Sequence, residues 1–279
     1  MSDPFCTACG AAESRADPFY YEWRGRRFQI QRCGRCTHQF VFPSVSAEDQ
    51  VEIYADHYFA AGGDWAVGHF GNVAYADAET QLRREAREIL ATLPLTAGSI
   101  LDIGCAGGVF LDEARRVGFT DVAGIELNAS MAEQARTRHG ITVWHGGIET
   151  ASLDRESFDV VTLLDCLEHI PAPLAALQKV ARWLRPGGVV LIRGPLSNSP
   201  TARTKELLRR VTRRVKQLPG YPLDANMFNP RSLAAMLDAA GFDGLEWPML
   251  RADFGTLLAR KSRTKRTPLL ETVAQSSAA

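Results

Sequence analysis

Three groups of residues in this 279-residue chain have types and spacings that can do chemistry. Near the start, Cys6-x-x-Cys9 and Cys33-x-x-Cys36 are separated by 23 residues. Four thiolates in two such pairs complete a tetrahedral shell around zinc. A full shell leaves no water to activate, so the metal would be structural. His38 lies beside the second pair, but four sulfurs already fill the shell, so it reads as a bystander. In mid-chain, Asp102-Ile-Gly-Cys-Ala-Gly-Gly108 puts small residues at 104, 106, 107 and 108, where backbone can approach a ligand closely. Glu126, 22 residues after Gly104, is placed to accept both hydroxyls of a ribose. The third group is Asp165-Cys-Leu-Glu168-His169. His169 there is a general-base candidate, because histidine is the side chain suited to move protons near neutral pH. The plainer alternative is that Glu168-His169 caps a helix or braces a loop.

The glycine-rich run has to be told apart from other nucleotide sites. Asp102 sits two residues before the first glycine, where a carboxylate suits a cationic amino group and not a pyrophosphate. The spacing Gly104-x-Ala106-x-Gly108 is also not the Gly-x-Gly-x-x-Gly of dinucleotide loops.

Such residues need elements to hold them. Residues 97–260 alternate strand-like and helix-like runs. Strands are expected at 99–103, 121–126, 141–144, 158–164 and 188–193. Helices are expected at 109–117, 129–139 behind an Asn128 cap, 173–184 and 231–240. Two final strands are expected at 244–246 and 254–259. This order predicts an α/β, Rossmann-like, doubly wound sheet of about seven mostly parallel strands, with ligands beyond the carboxyl ends. Before it come a zinc ribbon over 1–43, with a hairpin around Arg24-Gly25-Arg26, and a linker with a helical lead-in over 44–96. The lead-in carries aromatic loops (Tyr54, Tyr58, Phe59, Trp65, Phe70) and a charged helix over 76–90. A disordered tail is expected over 261–279.

With these elements in place, Ile100-Leu-Asp-Ile-Gly-Cys-Ala-Gly-Gly-Val-Phe-Leu111 resembles the first motif of class I S-adenosylmethionine-dependent methyltransferases. Val122–Glu126, Phe158–His169 and Leu184–Ile192 are similar to later motifs of that family in order and spacing, so the resemblance covers about residues 76–260. The 32–43 knuckle phrase, with Ile53-Tyr and His57-Tyr-Phe, resembles a bacterial group of these enzymes associated with glycan or lipid-linked pathways. The resemblance implies S-adenosyl-L-methionine as cofactor. Asp102 would hold its amino group through water, Gly104, Ala106 and Gly108 would line its methionine part, and Glu126 would bind its ribose. Leu127 would flank the adenine, and Gly147 and Ile148 would meet the adenine edge. Ala106 departs from the family's glycine, and Gly147 stands where members often carry Asp. Asp165 and His169 would face the reacting centre. Asp-x-x-Glu-His also resembles the Glu-x-x-Glu-His that binds a divalent cation in ubiquinone-pathway O-methyltransferases.

The acceptor is expected to be a small molecule, a glycan or a lipid-linked compound, methylated at oxygen. Residues 196–229 read as a lid over its pocket; relatives often place a His near Asn226. Within it, 204–218 is a basic amphipathic helix. Such a helix can pack its apolar stripe on the domain or lie on an anionic membrane. Two other readings compete with the enzyme. One is a nucleic-acid-associated protein whose ribbon uses Arg24, Arg26, Arg27, Arg32 and Arg35 with Tyr20, Tyr21 and Trp23. The other is a cofactor-binding subunit without catalysis. A formal net charge of +0 argues against a dedicated nucleic-acid reader. The composition, 46% hydrophobic and 23% charged, is that of a globular protein. Paired cysteines, no signal-like start and no spanning run make the cytoplasm the expected location. Cys105 and Cys166, in apolar segments, read as buried small hydrophobes.

Overall fold

The computed structural model describes residues 4–60, 74–197, 204, 207, 211, 216–218, 220–250 and 254–264. Strands β1 (Ser14–Trp23) and β2 (Arg26–Cys33) form the expected hairpin. Arg24 and Gly25, both at positive φ, make the two-residue turn that suits strand twist. Strand β3 (Gln39–Phe42) then pairs with β2. Helix α1 (Ala47–Ile53) starts at a reciprocal cap between Ser46 and Asp49. Helix α2 (Asp56–Phe59) follows, so Tyr54, Tyr58 and Phe59 belong to a helical segment rather than open loops. Trp65 and Phe70 lie outside the described residues. The lead-in expected over 76–90 is divided. Tyr75–Asp77 forms a single 3-10 turn, and α3 (Glu79–Leu90) begins after Ala78, which has no side chain to cap a longer helix.

The chain then alternates. It runs β4 (Gly98–Ile103), α4 (Val109–Val117), β5 (Phe119–Glu126), α5 (Ala129–His139), β6 (Thr142–His145) and β7 (Phe158–Leu164). Next come a 3-10 turn at Leu167–His169, α6 (Pro173–Trp183) and β8 (Leu184–Pro195). The short strands β9 (Gln217–Leu218) and β10 (Asn226–Met227) precede α7 (Pro230–Ala240), β11 (Phe242–Leu250) and β12 (Phe254–Lys261). Local chemistry sets the boundaries. Asn128 accepts from the Met131 N–H to open α5, and Gly140 closes it in the left-handed region. Asn229 and Ser232 cap α7 reciprocally, and Pro230 occupies its first turn.

The main sheet has seven strands in the order β11-β12-β8-β7-β4-β5-β6. The pairs from β8 to β6 are parallel, whereas β12 and β11 run antiparallel at the far edge. The chain departs from β4 towards β6, then returns to β7 on the other side. The crevice therefore opens beyond the ends of β4 and β7, where the strand order reverses. Alternate residues of each strand enter separate cores. Ile100, Val160 and Leu191 pack with α3, α4 and α5. Leu101, Val161 and Ile192 pack with Leu177, Val180 and Met236 of α6 and α7.

A second sheet of five strands runs β10-β3-β2-β1-β9. Its outer strands come from the 196–229 segment, about 200 residues after the hairpin they extend. Cys6, Cys33, Cys36 and Phe40 join Phe228, Leu233 and the α6 residues in one core. Of the amphipathic stretch 204–218, only 204, 207, 211 and 216–218 are described. Leu207 and Val211 are 64% and 77% exposed, so at these two positions the apolar stripe is not packed on the domain. Of the expected tail, 265–279 lies outside the described residues. Among the described residues, no helix is long and apolar enough to cross a membrane.

A buried ion network fixes α3 on α4. Arg83 donates to Asp112 at 2.8 Å and Glu113 at 2.7 Å, and Glu79 accepts from the same guanidinium. Burial alone would raise the Asp112 carboxyl. Hydrogen bonds from Arg83, Arg115 and Arg116 outweigh it and hold it at about 2. A carboxyl held low stabilises the fold above its unfolded pKa and loses that contribution as pH falls towards the folded value. Arg83→Leu is therefore expected to cost about 2 kcal/mol at pH 7, since it removes the donor shared by two buried carboxylates and leaves them to the more exposed Arg87, Arg115 and Arg116. Urea unfolding should show the difference from wild type shrinking between about pH 4 and pH 2.

Candidate functional site

The crevice beyond β4 and β7 is a cleft of about 1280 Å³, part of it open to solvent. One side is built from the ends of β4, β5 and β6: Asp102, Gly104, Ala106, Glu126, Leu127, Gly147 and Ile148 all line it. The other side carries Asp165 and His169 after β7, and Arg193 on β8. The fold thus gathers into one cleft nearly every non-cysteine residue singled out in the sequence. Gly108 lies behind the wall. It is the first residue before α4, with φ 83°, and a Cβ there would stand 2.9 Å from Ala135 Cβ. Its smallness serves the packing of α4 against α5.

Glu126 organises the glycine loop. Its two carboxylate oxygens accept from the Ala106 N–H at 2.8 Å and the Asn128 N–H at 2.7 Å. These bonds hold Ala106 at φ 45° and join the loop after β4 to the start of α5. Burial pushes the Glu126 carboxyl up, and the backbone N–H donors pull it back. Deeper in, Thr162 Oγ1 donates to Asp102 Oδ1 at 2.6 Å. Burial drives the Asp102 carboxyl up to about 7, the Thr162 hydrogen bond opposes this, and the charge of Glu126 adds to it.

His169 is held by its ring. Nδ1 lies 3.2 Å from the Leu223 carbonyl, an acceptor, so Nδ1 must carry the proton. Nε2 is then the lone-pair nitrogen, the atom able to take a proton. Asp224 Oδ1 is 3.4 Å from Nδ1, and the Gln50 amide donates to the His169 carbonyl at 3.2 Å. Asp165, at φ 51°, lies 3.6 Å from Arg193 Nε, and Arg193 also donates to Glu85 at 3.2 Å. Glu168 turns away from the cleft, under Gly194. Burial, followed by the charges of Asp165 and Asp224, pushes its carboxyl well above the usual range. Among the described residues, Asp165, Glu168 and His169 do not converge as a ligand set.

Several wall residues were not read from the sequence as site residues. Tyr75 packs so closely on the loop that a Cβ at Gly107 would stand 2.6 Å from its ring. Tyr54, Tyr58, Phe59 and Tyr75 form a chain of edge-on ring contacts. The Tyr54 hydroxyl is buried in the cleft with no hydrogen-bond partner among the described residues, an arrangement that a ligand's polar group would satisfy. Glu149 lines the cleft two residues after Gly147, with its carboxylate over that glycine. Lys179 Nζ reaches from α6 to the carbonyls of Ile148 at 3.0 Å and Ala151 at 3.3 Å, which fixes this loop. Cys166 also lines the cleft, against Gly104, and burial keeps its thiol protonated, as it does for Cys105.

The four N-terminal cysteines form a separate centre. Their Sγ atoms all lie within 4.8 Å of one another, the only such convergence of His, Cys, Asp or Glu among the described residues. Cys6–Cys36 is 3.6 Å and Cys9–Cys33 is 3.7 Å. A tetrahedron built on ~2.3 Å metal–sulfur bonds has edges of about 3.8 Å. The Arg35 and Cys36 N–H groups donate to Cys33 Sγ. His38 stands outside the sulfurs, fully buried. The hairpin arginines are mostly engaged internally: Arg24 with Glu52, Arg26 with Asp49, Arg32 with Asp17, and Arg27 over the Tyr20 ring at 3.6 Å.

Comparison with known proteins agrees with this architecture. Residues 77–246 match the family described as methyltransferase domain. This chain belongs to the methyltransferase domain family. A ubiquinone biosynthesis O-methyltransferase of Aeromonas salmonicida is 32% identical over 149 residues, 51% of this chain and 61% of that protein. One from Albidiferax ferrireducens is 33% identical over 115 residues, 38% of this chain and 44% of the relative. The chain thus spans about half the length of these relatives. Among solved structures, magnesium protoporphyrin IX methyltransferase of Synechocystis PCC 6803 aligns with TM-score 0.55 and 16% identity, over 74% of this chain and 97% of that one. An S-adenosylmethionine-dependent methyltransferase of Thermotoga maritima aligns with TM-score 0.50 and 21% identity, over 67% and 95%. At these identities the structural likeness shows the fold, a seven-stranded, mostly parallel Rossmann-like sheet.

The Asp102 environment has a measurable consequence in the free protein. Its folded pKa of about 7 lies well above the ordinary carboxylate value of 3.8. The unfolded chain therefore releases this proton earlier, and stability falls as pH rises from about 4 to about 7. Asp102→Asn removes that loss. The variant should be more stable than wild type at pH 8 in urea unfolding, with the advantage fading towards pH 4.

Proposed function

We propose that the protein transfers a methyl group from S-adenosyl-L-methionine to an oxygen of a small-molecule acceptor. The carrying observation is the cleft itself, which joins the Asp102–Glu126 side to the His169 side at the sheet's switch point. The donor set suits the cofactor. Asp102 offers a carboxylate to its cationic amino group, and Glu126 offers oxygens to the ribose. Leu127 and Ile148 flank the adenine at Gly147, where the nearby Glu149 carboxylate can accept from the adenine amino group. The Tyr54, Tyr58 and Phe59 rings suit a sulfonium cation. When bound, the cofactor supplies an already activated methyl group.

The protein's own work is alignment, exclusion of water and handling of one proton. His169, locked by the Leu223 carbonyl, would take the acceptor's hydroxyl proton on Nε2 as that oxygen displaces the cofactor's sulfur from the methyl carbon, the sulfur leaving as a neutral thioether. The aromatic wall and Arg193, with Glu85 and Asp165 beside it, line the side open to the acceptor. An aromatic hydroxyl compound fits this lining, and the likeness to ubiquinone biosynthesis O-methyltransferases supports that class. The exposed Leu207 and Val211 in a basic stretch support a lipid-linked variant, approached from an anionic membrane surface. The four cysteines would hold a structural zinc ion, and reduced thiols accord with work in the cytoplasm. The internal pairing of Arg24, Arg26 and Arg32 counts against nucleic-acid reading by the N-terminal module.

Calorimetric titration with S-adenosylhomocysteine tests the cofactor site. Micromolar binding is expected in wild type and in His169→Ala, and at least tenfold weaker binding in Glu126→Ala. Equal affinity in wild type and Glu126→Ala would overturn the assignment. With an acceptor in hand, His169→Ala should lower kcat about 100-fold. The metal is tested separately. Blocking the thiols should release about one equivalent of zinc, and Cys9→Ser should lower the melting temperature by several degrees or more.

A further inference from the structure

We propose that Asn226 is a positioning residue through which the four-cysteine centre sets the geometry of the His169 turn. The inference rests on His169 being the acceptor-side base, and it gives the N-terminal module a role in the chemistry of the cleft.

Asn226 is 1% exposed and sits on β10, where it pairs with Phe40 of β3. Its amide touches three separate parts of the chain. Nδ2 donates to the Ile170 carbonyl at 2.7 Å, one residue after His169. Oδ1 accepts from Thr7 Oγ1 at 2.6 Å and faces His38 Nε2 at 3.0 Å. Thr7 lies between Cys6 and Cys9, and His38 lies two residues after Cys36. One buried side chain thus bonds to both cysteine knuckles and to the turn.

The chemistry of the residue matters. The Ile170 carbonyl needs a donor, so the amide nitrogen must face it. The amide oxygen is then left to accept from the cysteine side. Aspartate would lose the donor and set a charge against a carbonyl. Leucine would fill the space with neither bond. The ring of His169 is tied to the same segment, since Nδ1 donates to the Leu223 carbonyl three residues before Asn226. Ala225 accepts from the Val41 N–H at 3.0 Å, which pins this segment to β3. A change at the knuckles therefore reaches the His169 ring through Leu223 and its backbone through Ile170. The His38 ring, stacked on Phe228 with centroids 4.9 Å apart, stiffens the same junction.

The test uses the full metal-loaded chain and needs no acceptor. Amide hydrogen exchange of the 166–170 turn and the NMR resonance of the His169 imidazole are compared in wild type, Asn226→Leu and Thr7→Val. Asn226→Leu should speed exchange of the turn about tenfold, the factor that one lost buried hydrogen bond is worth. It should also move the His169 resonance while S-adenosylhomocysteine affinity stays within about twofold of wild type. Thr7→Val, which removes one donor to Oδ1, should move both signals the same way by less. Chelation of the metal from wild type should reproduce the change and add little in Asn226→Leu. Unchanged exchange and resonance in both variants would overturn the proposal, as would full additivity of chelation and substitution. If Asn226→Leu does not fold, Thr7→Val decides. Failure of the wild type to bind S-adenosylhomocysteine would sink the methyltransferase reading but leave these signals to judge the coupling.

Discussion

The Glu126 carboxylate is the point on which the cleft is built. It is buried at the end of β5 and spends both oxygens on backbone N–H groups, one from the loop after β4 and one from the start of α5. A buried carboxylate persists only if such donors compensate its lost hydration. Its burial therefore requires the loop to fold back over it, and the loop in turn needs Ala106 in the left-handed region. The same charge reaches Asp102 and helps raise that carboxyl, so the floor of the cleft concentrates negative potential where hydration is poor. Such a floor favours a cationic group, because a cation relieves both the desolvation and the mutual repulsion.

Around this floor the protein builds a stiff frame. Tyr75 packs on Gly107, and Arg83 binds α3 to α4, so the lead-in segment closes the cleft instead of hanging free. Lys179 does the same for the loop after β6 by meeting several of its carbonyls. The His169 side is framed differently. His169 depends on the 221–228 segment for its ring partner, and that segment is strand-paired to the N-terminal module. The two halves of the cleft thus rest on different supports. One is the parallel sheet, and the other is a small five-stranded sheet beside the four clustered cysteines.

Much of this was legible in the chain because local rules write it there. Helix α4 follows the glycine loop and ends at Gly118, and α5 runs from the Asn128 cap to Gly140, at the expected boundaries. Strand β7 was visible as a run of apolar residues covered on both faces. Its neighbour β8 runs from 184 to 195, longer than the 188–193 expected, because β7 pairs with it at Leu184 and β12 pairs with it out to Pro195. The short strands β3, β9 and β10 carried no comparable signal. Two or four residues form strands only when a partner from elsewhere supplies the hydrogen bonds.

The sequence by itself determined the alternation of elements, the four-cysteine pattern and the acids at 102 and 126, since spacing and side-chain type suffice for these. Only the tertiary structure decided which of the marked residues share a cleft. It placed Gly108 in helix packing and turned Glu168 inward. It also brought Tyr75, Glu149, Arg193 and Asn226 to their posts, none of which the sequence had assigned to them. These assignments depend on contacts between residues far apart in the chain, 26 residues for Glu168 and Gly194, 32 for Tyr75 and Gly107, and 219 for Thr7 and Asn226. No local period or propensity encodes such contacts; they arise when the sheets close and buried polar groups must find their partners.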